Sequence, residues 1–138
     1  PELGLLQKAL QPTAFGAWLD EKRIRVGGWT NGSFTASTVS GNQLPYGFNY
    51  LGNEFLRQQN WLRIDRPVDT EKGEADLGFR FDTILPGSDY RFTLARGLWD
   101  DQTGRYGIDP VQFYAELYLP DVAQGLSVKL GRFFAPYG

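Results

Sequence analysis

Two carboxylates, Asp82 and Glu116, stand in mid-segment within stretches that alternate apolar and polar residues. A pair of carboxylates is the least that acid–base hydrolysis of a glycosidic bond requires, but nothing in their spacing singles these two out for that work. The rest of the reactive inventory is missing, because His, Cys and Met are all absent from the 138 residues. A Ser-His-Asp triad, a Cys-His pair, a thiolate, a disulfide and the usual zinc constellations therefore cannot be built from this chain. We expect no catalytic residues, no metal and no cofactor. The charged side chains that do recur in mid-segment are Arg25, Arg57, Arg63, Asp65, Arg80, Asp82, Glu116 and Lys129. The chemistry open to such a mixed set is electrostatic. It can line a wet passage and select solutes, or pair internally and stiffen a wall.

The elements that position these residues have a period of two. Successive side chains on a strand point to opposite faces. In residues 111–119, Val111, Phe113, Ala115, Leu117 and Leu119 share one face, and Gln112, Tyr114, Glu116 and Tyr118 the other. In 76–85, Leu77, Phe79, Phe81, Thr83 and Leu85 oppose Asp76, Gly78, Arg80 and Asp82. Residues 24–37 set Ile24, Val26 and Phe34 against Arg25, Trp29 and Asn31. Residues 55–65 set Leu56, Leu62 and Ile64 against Arg57, Gln59, Trp61, Arg63 and Asp65, with Gln58 and Asn60 interrupting the apolar face. A last segment, 126–134, sets Leu126, Val128 and Leu130 against Ser127, Lys129 and Gly131. Residues 90–98 alternate well enough for a strand extension or a loop hairpin, so the chain holds about five to six strands.

Before the strands, residues 1–22 read as one or two short helices. Leu3, Leu6 and Leu10 fall at helical spacing, Pro12 marks a stop, and Ala14, Phe15, Trp18 and Leu19 form a second cluster ahead of a charged run. No run of about eighteen apolar residues is present, which excludes a transmembrane helix. It does not exclude a transmembrane barrel, where only alternate residues need be apolar. A net charge of −2 and the lack of a basic run predict no nucleic-acid partner. The chain opens on Pro1 without a charged-then-apolar leader, so we expect a mature form or an internal piece.

The dry face of these strands could be a protein core or lipid. The segments are close to the nine to eleven or so residues that a tilted strand needs to cross the hydrocarbon layer. Their connections alternate: 38–50 is long, 66–75 short, 86–110 long and 120–125 short. Short turns on the periplasmic side and long loops outside are the barrel pattern. Aromatic residues cluster near segment ends, at Tyr46, Phe48, Tyr50, Phe55, Tyr90, Phe92, Phe133, Phe134 and Tyr137, where interfacial girdles would lie. In a soluble sheet the charged face would simply meet solvent, and aromatics near strand ends also occur in sugar-binding loops.

Four strings carry a family resemblance: Asp65-Arg66-Pro67-Val68-Asp69; Asp89-Tyr90-Arg91-Phe92-Thr93 followed by Ala95-Arg96-Gly97-Leu98; Tyr114-Ala115-Glu116; and Val128-Lys129-Leu130-Gly131-Arg132-Phe133. Taken in order, from about Arg23 to Gly138, the chain resembles the outer-membrane β-barrel porins of the OmpL-like, planctomycete type. The resemblance implies an exported barrel around a water-filled passage in the outer membrane of a Gram-negative-type bacterium. It brings no catalytic or ligand residues with it. Members of that family are much longer, and such barrels usually finish on a strand with an aromatic terminal residue, whereas this sequence stops at Gly138.

The expected fold is therefore all-β: part of an antiparallel transmembrane β-barrel over residues 23–138, preceded by a periplasmic helical segment over 1–22. Bacterial single-chain barrels have an even number of strands, about eight or more, and five strands cannot close. An open edge in lipid would leave backbone groups unpaired at several kcal/mol each, so the remaining strands must come from more of the chain or from further copies. The leading function is passive passage of small hydrophilic solutes, with the bilayer as a partner and a homo-oligomer or larger envelope complex left open. A barrel that anchors an external complex through its long loops is a second reading. A soluble carbohydrate-binding β domain is a third.

Overall fold

The computed structural model describes residues 4–38, 47–93 and 103–134. Two short helices come first, α1 (Leu5–Leu10) and α2 (Ala14–Glu21). Thr13 caps α2: its hydroxyl accepts a hydrogen bond from the Gly16 amide at 3.0 Å, an arrangement worth about 1 kcal/mol. The buried Gln7 side chain ties α1 both to α2 and to the first residues of the sheet. Its Oε1 accepts from the Val26 amide at 3.1 Å, and its Nε2 donates to Asp20 Oδ1 at 3.0 Å and to the Ile24 carbonyl at 3.3 Å. Among the described residues no helix is long and apolar enough to cross a membrane.

The sheet has five strands: β1 (Arg25–Phe34), β2 (Phe55–Arg66), β3 (Asp76–Gly87), β4 (Gly107–Leu119) and β5 (Leu126–Arg132). They are antiparallel and each lies beside the next in sequence, so β1 and β5 are the edges. The register of the last pair shows how sequence sorts the two faces. Glu116 stands opposite Lys129 and Tyr118 opposite Ser127, while Ala115, Leu117 and Leu119 face Leu130, Val128 and Leu126. From Ala115 to Leu119 polar residues meet polar and apolar meet apolar, while Phe113 stands opposite Arg132. The link between β4 and β5 is tight, with Ala123 and Gln124 both at positive φ and the Gly125 amide bonded to the Val122 carbonyl at 2.9 Å.

The segment 90–98 departs from its alternation. Tyr90–Thr93 is a single helical turn, α3, and residues 94–98 lie outside the described residues. The turn that ends β3 explains the change. Ser88 and Asp89 donate their backbone amides to the Arg57 and Gln58 carbonyls at 3.0 and 3.1 Å, and the Phe92 amide then closes onto the Asp89 carbonyl at 3.0 Å. The chain is folded back along the start of β2, where it cannot extend as a strand.

Burial is inverted relative to a soluble sheet. Along β3, Leu77, Phe79, Phe81 and Leu85 are exposed, Leu77 by 61%, whereas Asp82 on the alternate face is 0% exposed. Phe113, Leu117, Val128 and Leu130 are likewise exposed. Apolar residues buried among the described ones are Leu19, Leu51, Leu56, Ile84, Tyr90 and Val111, and the buried polar set is larger. In water, leaving a Leu or Phe uncovered forgoes about 1.5–3 kcal/mol per side chain, so a whole strand face of them is a costly surface unless its solvent is apolar.

Burial departs from the strict alternation at Thr83 of β3, which is buried beside Asp82, and in two further stretches. Val111 is buried rather than exposed with Phe113, and Gln112 beside it is buried too. In β2, Leu56 is buried with Gln58 rather than exposed with the apolar face, and the neighbours Gln58 and Gln59 both bond to side chains of β1. At both places burial follows local packing rather than strict alternation.

The chain divides into two compact units. The first comprises Pro1–Gly28, Leu62–Thr83 and Pro110–Gly138, and the second Trp29–Trp61 and Ile84–Asp109.

Candidate functional site

In the first unit the charged residues of successive strands meet in pairs. Arg25 of β1 bonds to Asp65 of β2. Arg63 of β2 grips Asp82 of β3 in bidentate fashion, Nε to Oδ1 at 2.8 Å and Nη2 to Oδ2 at 3.2 Å. Arg80 Nε and Gln112 Nε2 add bonds to Oδ2 at 3.0 and 2.9 Å. Both Asp82 oxygens are thus occupied inside a closed shell, which leaves neither free to reach a substrate. Glu116 of β4 takes the Ser127 hydroxyl and lies 3.8 Å from Lys129 Nζ, which also sits 5.2 Å over the Tyr114 ring. Gly131 makes this corner possible. Its φ is 137°, and a Cβ there would come within 2.2 Å of the Phe113 carbonyl oxygen. Seven of the eight charged positions expected on the polar face, all except Arg57, stand in these pairs.

A second cluster of the first unit was not among the expected residues. Arg23 bonds to Asp69 at 2.9 Å and to Asp76, Arg66 Nη2 reaches Asp76 Oδ1 at 3.0 Å, and the Asp69 amide donates to Asp76 Oδ2 at 2.8 Å. Arg66 Nε also donates to the Lys22 carbonyl at 3.1 Å. The network locks the end of α2 to the β2–β3 turn. Its signal in the sequence was weak, because a turn rich in Asp, Glu and Lys reads as solvated.

The second unit holds a concavity of about 400 Å³ rather than a row of ion pairs. Asn31, Phe48, Asn49, Gln58, Gln59 and Asp89 line it. Gln59 Nε2 donates to Asp89 Oδ2 at 2.8 Å and its Oε1 accepts from Trp29 Nε1 at 2.8 Å. Asn31 Nδ2 donates to Gln58 Oε1 at 3.2 Å, and Asn49 Oδ1 accepts from Gln58 and Ser33. Trp29 stacks on Trp61 with centroids 4.8 Å apart and planes 10° from parallel. Asp89 is 3% exposed, and burial pushes its carboxyl above the usual range against the pull of the Gln59 and Ser88 bonds. No sequence signal marked these amides, which are unremarkable until β2 and the turn after β3 converge.

Arg57 lies in this unit, exposed, with its guanidinium 5.1 Å over the Tyr106 ring. Of the aromatic residues expected at an interface, Phe55 is 64% exposed, and Phe48 and Phe92 are exposed and meet edge to face at 4.6 Å. In the first unit Phe133 and Phe134 are exposed, Phe133 lying edge-on to Tyr114 at 5.9 Å. Tyr50 is half-buried, with Arg91 5.3 Å over its ring and its hydroxyl without a hydrogen bond among the described residues. Tyr90 is 0% exposed and its hydroxyl donates to the Gly104 carbonyl, which makes it a core residue of the folded-back turn. Tyr46 and Tyr137 lie outside the described residues.

The family model described as "Putative beta-barrel porin-2, OmpL-like" matches residues 23–138. No curated protein and no solved structure matches the chain.

Proposed function

The chain belongs to the OmpL-like β-barrel porin-2 family, and from that premise we propose that it forms part of the wall of an outer-membrane channel for passive passage of small hydrophilic solutes. One observation carries the reading: along β3 Asp82 is fully covered and Arg80 partly so, while Leu77, Phe79, Phe81 and Leu85 are exposed. That arrangement suits a wall with lipid on one side and water on the other. Residues 1–22 then form a periplasmic helical segment, joined to the wall by Gln7 and by the Arg23 network. Both edge strands need partners in lipid, so further strands, from the same protein or from other copies, close the barrel.

Passage involves no bond-making step. The charged pairs Arg25–Asp65, Arg63–Asp82–Arg80 and Glu116–Lys129 set the field along the wall and stiffen it, while Arg57, expected on the polar face, is exposed on the same face as Phe55 and stands outside this set. The test is single-channel conductance of the complete protein in a planar bilayer. Stepwise ohmic currents support the proposal; a folded, inserted protein that conducts nothing would overturn it.

A further inference from the structure

Where the turn after β3 folds onto β2, the second unit assembles polar groups that its own hydrogen bonds do not use up. Asn31 keeps its Oδ1, and Asn49 its Nδ2, without a hydrogen bond among the described residues. Asp89 Oδ1 has only the Ser88 hydroxyl at 3.5 Å. A free acceptor and a free donor on one rim suit a group that both gives and takes a hydrogen bond, which is a hydroxyl. An open apolar ring, Phe48, 52% exposed, borders the same concavity and offers a face to C–H surfaces.

We propose that this concavity is a binding site for a neutral polyhydroxyl solute, an oligosaccharide in class. Its 400 Å³ or so lies within the roughly 300–1,000 Å³ of small-molecule clefts. Charge excludes the nearest alternative. Among the described residues no Lys or Arg lines the concavity, and the nearby cations are engaged elsewhere, Arg57 over Tyr106 and Arg91 over Tyr50. An acidic sugar would meet Asp89 with no counter-charge. Asn31, Gln58 and Asn49 are locked to one another and Gln59 is locked to Asp89, which gives a rigid rim, so little ordering is needed on binding. The inference rests on the passage reading only in placing the solute on its route through the channel.

Calorimetric titration of the complete protein in detergent micelles tests it, with maltotriose as the probe and trigalacturonate as the anionic comparison. Saturable maltotriose binding, at least tenfold tighter than that of trigalacturonate, is expected, with a tenfold or greater loss in Phe48→Ala and Asn49→Ala. Absence of saturable heat, tighter binding of the acidic sugar, or unchanged affinity in a folded Phe48→Ala protein would overturn the site. The two-sugar comparison uses unaltered protein, so a variant that fails to fold leaves the test intact. Conductance without sugar reports separately on the passage: current without binding rejects the site alone, and binding without current rejects the passage alone.

Discussion

Arg63 and Asp82 join β2 to β3 through two parallel hydrogen bonds, Nε to Oδ1 at 2.8 Å and Nη2 to Oδ2 at 3.2 Å, with the carboxylate 0% exposed. Phe81, next along β3, points the other way and is exposed. A carboxylate fully covered and a Phe uncovered, one residue apart along β3, suit a wall between lipid and water.

Asp82 holds two guanidiniums, so Asp82→Asn leaves Arg63 and Arg80 facing each other without their counter-ion. Removing one partner of a buried ion pair costs about 3–5 kcal/mol. Tryptophan-monitored urea unfolding in micelles should show a loss of that order, and Arg63→Met combined with Asp82→Leu should recover much of it. A fully tolerated Asp82→Asn would mean that the cluster is open to solvent.

Glu116 and Lys129 differ from that pair. Their separation is 3.8 Å and the Lys side chain is 42% exposed, so the interaction is worth less than about 1 kcal/mol. Glu116→Gln is therefore expected to leave the unfolding midpoint nearly unchanged while releasing a positive charge into the passage. The reversal potential in a salt gradient should move toward anion selectivity. A large stability loss with no change in selectivity would assign Glu116 to the wall rather than to the route.

Asp89 makes a pH-dependent contribution of defined sign. Because burial raises its folded pKa above the unfolded value of about 3.9, its stability contribution is complete below that value and is lost as pH rises through the folded one. Asn resembles the protonated acid in shape. Asp89→Asn should therefore raise the unfolding midpoint at pH 7 and confer no gain near pH 3, measured on the same micellar protein. A gain that persists unchanged at low pH would show that charge burial is not its origin.

The alternation of 76–85 carried β3 and most of its two faces into the structure, with Thr83 buried rather than exposed beside Phe81 and Leu85, and the apolar and polar rows of 126–130 recur in the register of β5. The charged residues paired as their shared parity implies. What alternation could not show were the points where burial departs from it. Leu56, Thr83 and Val111 lie on the buried side, and no residue type marks them. The amide-lined concavity was hidden for a related reason: Asn31, Asn49 and Asp89 come from three separate stretches, and only the turn that folds back onto Arg57 and Gln58 brings them together. Tyr90 read as an interfacial aromatic by its place in sequence and is enclosed by that same turn.

The most direct test of the central claim is which solvent each face of β3 meets. The 138 residues contain no cysteine, so nitroxide labels can be placed singly at Leu77, Gly78, Phe79, Arg80, Phe81 and Asp82 in the complete protein reconstituted in lipid vesicles. If the apolar face meets lipid, labels at Leu77, Phe79 and Phe81 are relaxed mainly by oxygen dissolved in the bilayer. Labels at Gly78, Arg80 and Asp82 should show low access to oxygen and either immobilisation or access to a water-soluble nickel complex. Uniform access to the nickel complex at all six positions, or the reverse alternation, would contradict a wall with lipid on its apolar side.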